Sequence, residues 1–474
     1  MMSKDTLSLD SEIRLGALIR PLIAIVLGMM MVMLDSTAMN VAIPKLTHDL
    51  ETTFATLQWT ITGYMLAMSA TIPLAGWISD RLGASKAFLI TVVLFSLSSL
   101  LCSFAQTAEQ LIAFRVIQGL AGGMVQPIGM AMVFRIAPEG KKGQVMGLLG
   151  IPMLLAPASG PVISGWLVEF VTWHWIFLIN VPIGILALVL GIKFLPVTEK
   201  KETLALDIPG MILGPLSFVS ITYGITHISD GLRMNTMGLT ALIGGGIVLT
   251  LFIINELKHK HPLLELRAFS SADFRKGITV SWIQYMALNG SLVFIPQYLQ
   301  LFKGYGPLTT GLIMSVMAIT SGVLMPIGGK MYDYLGIRPL AFSGLSIIAT
   351  ALLILSNLNM DSSLPFVVFS IALLGMGMGL CMMSLNTFIL QSAPSSLISR
   401  VTPLTSAASS IVISFAIAGL TSFLTYRSSV YDSDNNQVEL FSIGAFGDTF
   451  VLAACIAAIG ALLSLRIRKK VNSN

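Results

Sequence analysis

The stretch Gly76-Trp-Ile-Ser-Asp80-Arg81-Leu-Gly83-Ala-Ser-Lys86 returns near Gly329-Lys-Met-Tyr-Asp333-Tyr-Leu-Gly336-Ile-Arg338, with Gly, Asp and Gly at the same spacing and a cation two or three residues further on. Each copy directly follows an apolar run long enough to cross a bilayer. The chain therefore reads as two homologous membrane bundles joined in tandem, an arrangement that usually moves solutes.

Charge supports a bilayer as the solvent. Only 11% of the 474 residues are charged and 55% are hydrophobic, with a mean hydropathy of +0.84. A water-soluble domain of this size needs roughly a quarter of its residues charged to cover its surface. At about 20 apolar residues per span, the sequence predicts fourteen helices. They fall near 20–43, 57–78, 86–105, 109–131, 143–167, 174–194, 207–227, 238–255, 275–298, 309–329, 339–357, 363–388, 400–422 and 447–467. The fold class is thus an all-α integral membrane protein, with two six-helix bundles and two extra linker helices. The segments are an N-terminal bundle (1–200), an extra helix pair with a linker (201–274) and a C-terminal bundle (275–474).

Lys and Arg test the count, because cytoplasmic loops retain an excess of them. With the N-terminus inside, all but five of the 28 fall on the cytoplasmic side. Lys45, Arg233, Lys303 and Arg427 fall outside, and Arg115 falls within a helix. An early miscount by one helix would erase this asymmetry. The expectation is a multi-pass plasma (inner) membrane protein with both termini cytoplasmic and no cleaved signal peptide, working as a monomer. The net charge of +5 reflects topology. It is spread over many short loops with no basic stripe, so nucleic acid is not expected as a partner.

Several motifs carry no chemistry. Cys102, Cys381 and Cys455 show no metal-ligand spacing and read as small packing residues. His259 and His261 have no partner cluster and read as a solvated loop within a polar linker at about 256–276. Gly375-Met-Gly-Met-Gly379 lies inside an apolar helix and lacks the ending of a nucleotide loop. No metal site and no cofactor are expected. With no ATP motif, uphill transport has to draw on an ion gradient.

Asp35 is the one acid that falls well inside a predicted span, and Arg115 the one base. A charge there costs at least about 2.5–3.5 kcal/mol and needs a partner or an aqueous cavity. Both sit at similar depth, roughly 13 Å and roughly 9 Å below the outer helix ends, and Gln118 shares a helical face with Arg115. Two readings stand: Asp35 binds and releases a proton under the influence of Arg115, or the two form a static ion pair locking helix 1 to helix 4. The offset between the hinge copies maps Asp35 and Arg115 onto Leu288 and Val368, so the C-terminal bundle has no equivalent.

In helix 5, Ala156, Gly160 and Ser164 form a stripe permitting close backbone approach, while Pro157 and Pro161 loosen the helix ahead of Gly165. The hinge copies predict latches: Gly76, Asp80, Arg81 and Gly83 in one half, Gly329, Asp333, Gly336 and Arg338 in the other. Their carboxylates and cations are expected to form breakable ion pairs with neighbouring helices.

Together these residues resemble the major facilitator superfamily, and within it the fourteen-helix drug:proton antiporters of the EmrB/QacA type. Leu34-Asp35-Ser-Thr37-Ala-Met-Asn40-Val41-Ala42-Ile-Pro44 is similar to that family's helix 1 signature, Gly76–Lys86 to its loop motif and Arg115-Val-Ile-Gln118-Gly119 to its helix 4 motif. The helix 5 segment through Gly160-Pro161 resembles its antiporter motif, and Trp173-His-Trp175-Ile-Phe177-Leu-Ile-Asn180-Val-Pro182-Ile-Gly184 its helix 6 opening. The resemblance implies alternating-access, proton-driven export of small amphipathic compounds, neutral or monocationic, by a non-enzyme. The alternative cargo is a lipid, fatty acid or endogenous metabolite. A substrate cavity between the halves is expected to use Gln118, Gln284, Asn289 and Asn386 among apolar and Met side chains. Ala84-Ser85 stands where the loop motif often has a further cation. The C-terminal helices lack the carboxylates that some relatives carry, which argues against divalent-cation substrates.

Overall fold

The computed structural model describes residues 4–52, 54–198, 207–227, 229–230, 233–234, 236–259, 262–305, 307–394, 397–435 and 443–467. A bilayer offers no hydrogen bonds to an exposed backbone, so the chain meets its needs within helices. They are α1 (Lys4–Asp49), α2 (Phe54–Thr71), α3 (Ala75–Leu82), α4 (Ala84–Ser103), α5 (Ala108–Ile136), α6 (Lys142–Phe170), α7 (His174–Leu178) and α8 (Asn180–Phe194). There follow α9 (Ile208–His227), α10 (Thr236–Lys258), α11 (Ala272–Leu301), α12 (Pro307–Leu335), α13 (Ile337–Leu355), α14 (Leu364–Gln391), α15 (Ile398–Asn435) and α16 (Ile443–Ser464). A 3-10 turn, Ile72–Leu74, joins α2 to α3, and α7 runs into α8, so the sixteen segments make the fourteen expected rods. Thirteen spans among the described residues are long and apolar enough to cross a membrane; α6 is the remaining rod. The only strands among the described residues are a two-residue ladder, Ser229–Asp230 with Arg233–Met234, between α9 and α10.

Large apolar side chains such as Leu97, Ile185, Val189, Ile192, Ile247 and Leu462 face outward. Helices apolar on both faces suit lipid on one side and protein on the other. The interior is divided. One cluster, at the end bearing the two hinge turns, spans both halves: Phe88, Phe134 and Met146 pack with Leu264, Phe274, Ile389 and Val401. At the far end the bundles keep separate cores, one around Trp173 and Phe177 and one around Tyr298 and Phe446. The halves are therefore joined most closely at the hinge end.

Two seams make that join. Along the first, α6 lies on α12. On the second, α15 packs against α3 and the preceding 3-10 turn at the hinge end, and against α5. The extra helix α9 lies over this seam, touching α2, the 3-10 turn and α15.

Two expectations are corrected. The linker is not a wholly solvated loop: Leu263 and Leu264 are buried, and Leu264 joins the hinge-end core. Its apolar Pro262-Leu-Leu run anchors it there, whereas His261 lies outside the described residues. The helix expected to end near 422 runs on to Asn435, because α15 still packs on α16: Leu424 and Ser428 are buried, and Arg427 and Tyr431 both donate to Asp448.

Candidate functional site

Asp35 and Arg115 meet inside the N-terminal bundle, each only 1% exposed. Arg115 Nη1 donates to Asp35 Oδ2 at 2.5 Å and to Gln118 Oε1 at 2.7 Å, and Nε donates to the Thr60 carbonyl at 3.2 Å. The other carboxylate oxygen, Oδ1, accepts from Gln118 Nε2 at 3.1 Å and Asn180 Nδ2 at 2.9 Å. Ser99 Oγ accepts from both amides. Tyr64 lays its ring beneath the guanidinium, 4.0 Å from centroid to Cζ. Four helices thus converge on one carboxylate, with charge-assisted hydrogen bonds as the strongest links.

Local structure delivers these groups. Arg115 and Gln118 lie three apart on α5 and share a face. The sixth rod breaks between Leu178 and Asn180, two residues before Pro182, which places the Asn180 amide at the head of α8. Gly160 brings α6 against α1 beside Asp35: a Cβ there would collide with Thr37 Oγ1 and approach the Leu34 carbonyl at 3.3 Å. Ala156 and Ser164, the other members of the expected stripe, are buried as well, and Gly165 is half-buried. The side chains of Pro157 and Pro161 lie outside the described residues. A cavity of about 10 Å³, bounded by Asp35, Gly160, Ser164 and Asn180, sits against the carboxylate. That is about the size for one water.

A separate cavity of about 130 Å³ lies between the halves, lined by Gln126, Met130 and Met153 from one side and Tyr285, Met382, Met383, Asn386 and Ser409 from the other. Of the four expected cavity residues, Asn386 lines it. The other three are placed elsewhere. Gln118 belongs to the Asp35 network. Gln284 is buried in the C-terminal bundle and donates to Cys381 Sγ at 3.3 Å, and half-buried Asn289 donates to the Tyr285 carbonyl one turn back. An amide's polarity is visible in sequence, but the helical face it occupies was misjudged.

The hinge copies do bridge the halves. Asp80, at the end of α3, accepts from Ser399 Oγ at 2.7 Å and Arg400 Nε at 3.2 Å at the head of α15. Asp333, at the end of α12, accepts from the backbone N–H groups of Gly143 and Gln144, 3.0 Å each, at the head of α6. Each carboxylate thus reaches the fifth helix of the opposite bundle. Gly76 and Gly329 allow this: a Cβ on the first would lie 2.5 Å from the Ser399 carbonyl, and one on the second would collide with that of Gly143. Gly83 and Gly336 make the turns that follow, at φ +84° and +74°, values that exact strain from any other residue. The local cations act differently from the expected ion pairs. Arg81 lies over Trp77 at 5.1 Å, Arg338 opens α13, and the cation on Asp80 is the distant Arg400. Ser85, where a cation is common, donates to the Pro196 carbonyl and pins the turn to the end of the sixth rod.

Sequence reasoning did not assign Asn180, Ser99, Tyr64 or Thr60 to the centre, nor Arg400 to the latch. Asn180 had a signal, as a lone amide in an apolar run within a recognised motif. The others read as ordinary packing.

A model of the major facilitator superfamily matches residues 25–417. A multidrug resistance protein B homolog of Mycobacterium tuberculosis (strain ATCC 25618 / H37Rv) is 32% identical over 406 residues, 85% of this chain and 75% of that protein. The riboflavin transporter RibZ of Clostridioides difficile (strain 630) is 30% identical over 377 residues, 79% and 81% of the two chains. Among solved structures, the proton:xylose symporter XylE bound to 6-bromo-6-deoxy-D-glucose superposes with a TM-score of 0.66 at 14% identity, covering 96% of this chain and 97% of that one.

Proposed function

The chain belongs to the major facilitator superfamily, and from that premise we propose that it is a proton-coupled antiporter exporting neutral or monocationic amphipathic compounds. The observation that carries this reading is the Asp35 centre. A carboxylate is held by Arg115 beside a water-sized cavity, and Arg115 has alternative support in the Thr60 carbonyl, Gln118 Oε1 and the Tyr64 face. When Asp35 takes a proton, the guanidinium keeps three partners and is not left stranded. The proton gradient is the proposed energy source.

The hinge turns lie on the side that carries most of the cations, so we place them and both termini in the cytoplasm of a cell bounded by this plasma membrane, with one chain as the working unit. The hinge-end latches are then the cytoplasmic gate, closed here, and the far end faces outside. Protons from outside reach Asp35 and free its Arg115 bond. Substrate leaves from the cavity whose Met side chains adapt to varied shapes while Asn386 and Tyr285 offer polar contacts. The multidrug resistance relative favours drug-like cargo.

The riboflavin transporter relative favours a second reading, the same machinery carrying an endogenous metabolite. Both are tested with purified protein in liposomes under an imposed pH gradient. Gradient-dependent accumulation of lipophilic monocations supports the first. Accumulation of flavins or other metabolites, with the amphiphiles ignored, selects the second. Movement of either cargo at a rate indifferent to the gradient sinks the proton coupling.

A further inference from the structure

A second buried acid pair lies at the base of the extra helices, away from Asp35. Asp207 and Glu256 are each 1% exposed. Asp207 directly precedes α9 and caps it, its Oδ1 accepting from the Gly210 N–H at 2.9 Å, while Asn255 Nδ2 donates to both its oxygens at 2.9 Å. Both oxygens of Asp207 are thus supplied with donors. Glu256 is differently supplied. Its Oε2 accepts from the Leu264 N–H at 3.0 Å, but Oε1 is buried with no donor. The two side chains converge over Gly210, where a Cβ would lie 2.7 Å from Glu256 Oε1 and collide with Asp207 Oδ2. Two carboxyl groups bond to each other only when one carries a proton.

We propose that Asp207 and Glu256 bind one proton between them, carried on Glu256 Oε1 and donated to Asp207 Oδ2, and that this proton fastens the strap Pro262–Ser270 to the base of α9 and α10. The strap is worth fastening: Leu263 and Leu264 are buried, and Leu264 joins Phe218, Phe252 and Phe274 in the hinge-end core. Removing the proton leaves two like charges in an apolar site. Glu256, with the fewer donors, then turns toward water and gives up the Leu264 N–H. Because α9 rests on α2 and α15, the release reaches the seam that Asp80 latches.

The surrounding charges do not substitute for the proton. Arg400 of α15 is engaged with Asp80, Arg267 of the strap with the His259 carbonyl, and Arg275 of α11 with the Phe269 carbonyl. Lys258 is exposed at the end of α10, and buried Glu265 on the strap adds a further negative group. Among the described residues, the charge bearing on Glu256 is that of Asp207.

Two measurements on the full chain in nanodiscs test this without reference to export. In hydrogen–deuterium exchange, protection of the Leu264 amide, corrected for intrinsic rate, is expected to fall by about tenfold or more as pH rises through the titration of the pair. E256Q and D207N, whose amides donate in place of the proton, should stay protected throughout. In infrared spectra, a protonated-carboxyl band should persist in D35N and vanish in D35N/E256Q. Strap protection that ignores pH in the unmodified chain, or a band that survives loss of Glu256, overturns the proposal. The native and D35N arms remain decisive if the Glu256 variant fails to fold.

Discussion

At matching positions the N-terminal bundle carries Asp35 and Arg115 where the C-terminal bundle carries Leu288 and Val368. Leu288 is buried in an apolar core, and one turn earlier Gln284 is satisfied by Cys381. The second bundle therefore achieves the same frame with no charge at these two positions. Burying an ion pair is an uncertain route to stability, because desolvation offsets the attraction. What the contrast teaches is that this frame can be packed at these positions with or without a charged pair, which is why the proposed coupling is assigned to the N-terminal half.

The contrast is broken most directly at Asp35. Asp35→Asn keeps the shape and the hydrogen bonds to Arg115 but removes the titration, so gradient-driven transport in proteoliposomes is expected to disappear while the protein still inserts. Normal uphill transport by this variant would end the proton-carrier reading.

Next in size is substrate charge. One deep carboxylate has to serve both the proton and a cationic substrate, and the described lining from the C-terminal side offers amides and hydroxyls only. A second positive charge goes uncompensated at several kcal/mol. Matched lipophilic monocations should be exported while dications are not, as read from resistance of expressing cells; equal export would reveal an acid supplied by the other half.

The latches sharpen the comparison further. Asp80→Ala leaves Arg400, 7% exposed, without its carboxylate, a loss of about 3–5 kcal/mol for a buried pair. Asp333→Ala leaves two N–H groups at a helix head, a capping loss of about 1 kcal/mol. Spin labels placed across the hinge end should report far more opening for the first variant than for the second, and equal opening would mean the latches are interchangeable. The smallest effect is expected from Leu288→Met, a volume-conserving change that should leave transport within about twofold and cost under about 1.5 kcal/mol in thermal unfolding. A large loss there would show that the C-terminal bundle takes part in coupling.

Much of this architecture was legible in the residues. The rods follow from apolar length and cation placement. The duplicated hinge follows from glycines at fixed spacing, and the Asp35–Arg115 pair from the scarcity of charge in the spans. What was hidden depends on which face of a helix meets which neighbour. Gln284 and Asn386 look alike in sequence, yet one is consumed inside its bundle and the other lines the cavity. Arg400 lies 320 residues from Asp80, and no local pattern joins them. Asp207 and Glu256 stand at helix ends, where a charged residue ordinarily reads as solvated. Only the docked strap turns them inward.

Along the seam of α6 and α12 the chain meets itself at several glycines, closely enough at the hinge end for backbone to touch backbone. Gly143 faces Gly329, Gly147 faces the Met325 carbonyl, and farther along Gly322 and Gly311 lie near Ile151 and Val162. Interlocked side chains act as teeth, setting preferred angles and resisting slip. Close backbone contacts leave fewer of them. The seam at α3 and α15, by contrast, is latched at the hinge end by Asp80. Under the proposed alternating access the molecule works like a door, with a hinge pin along one edge and a bolt at the foot of the other. An added methyl group on the pin is then expected to stiffen every position of the door, whereas a change at the bolt is expected to alter only whether it stays shut.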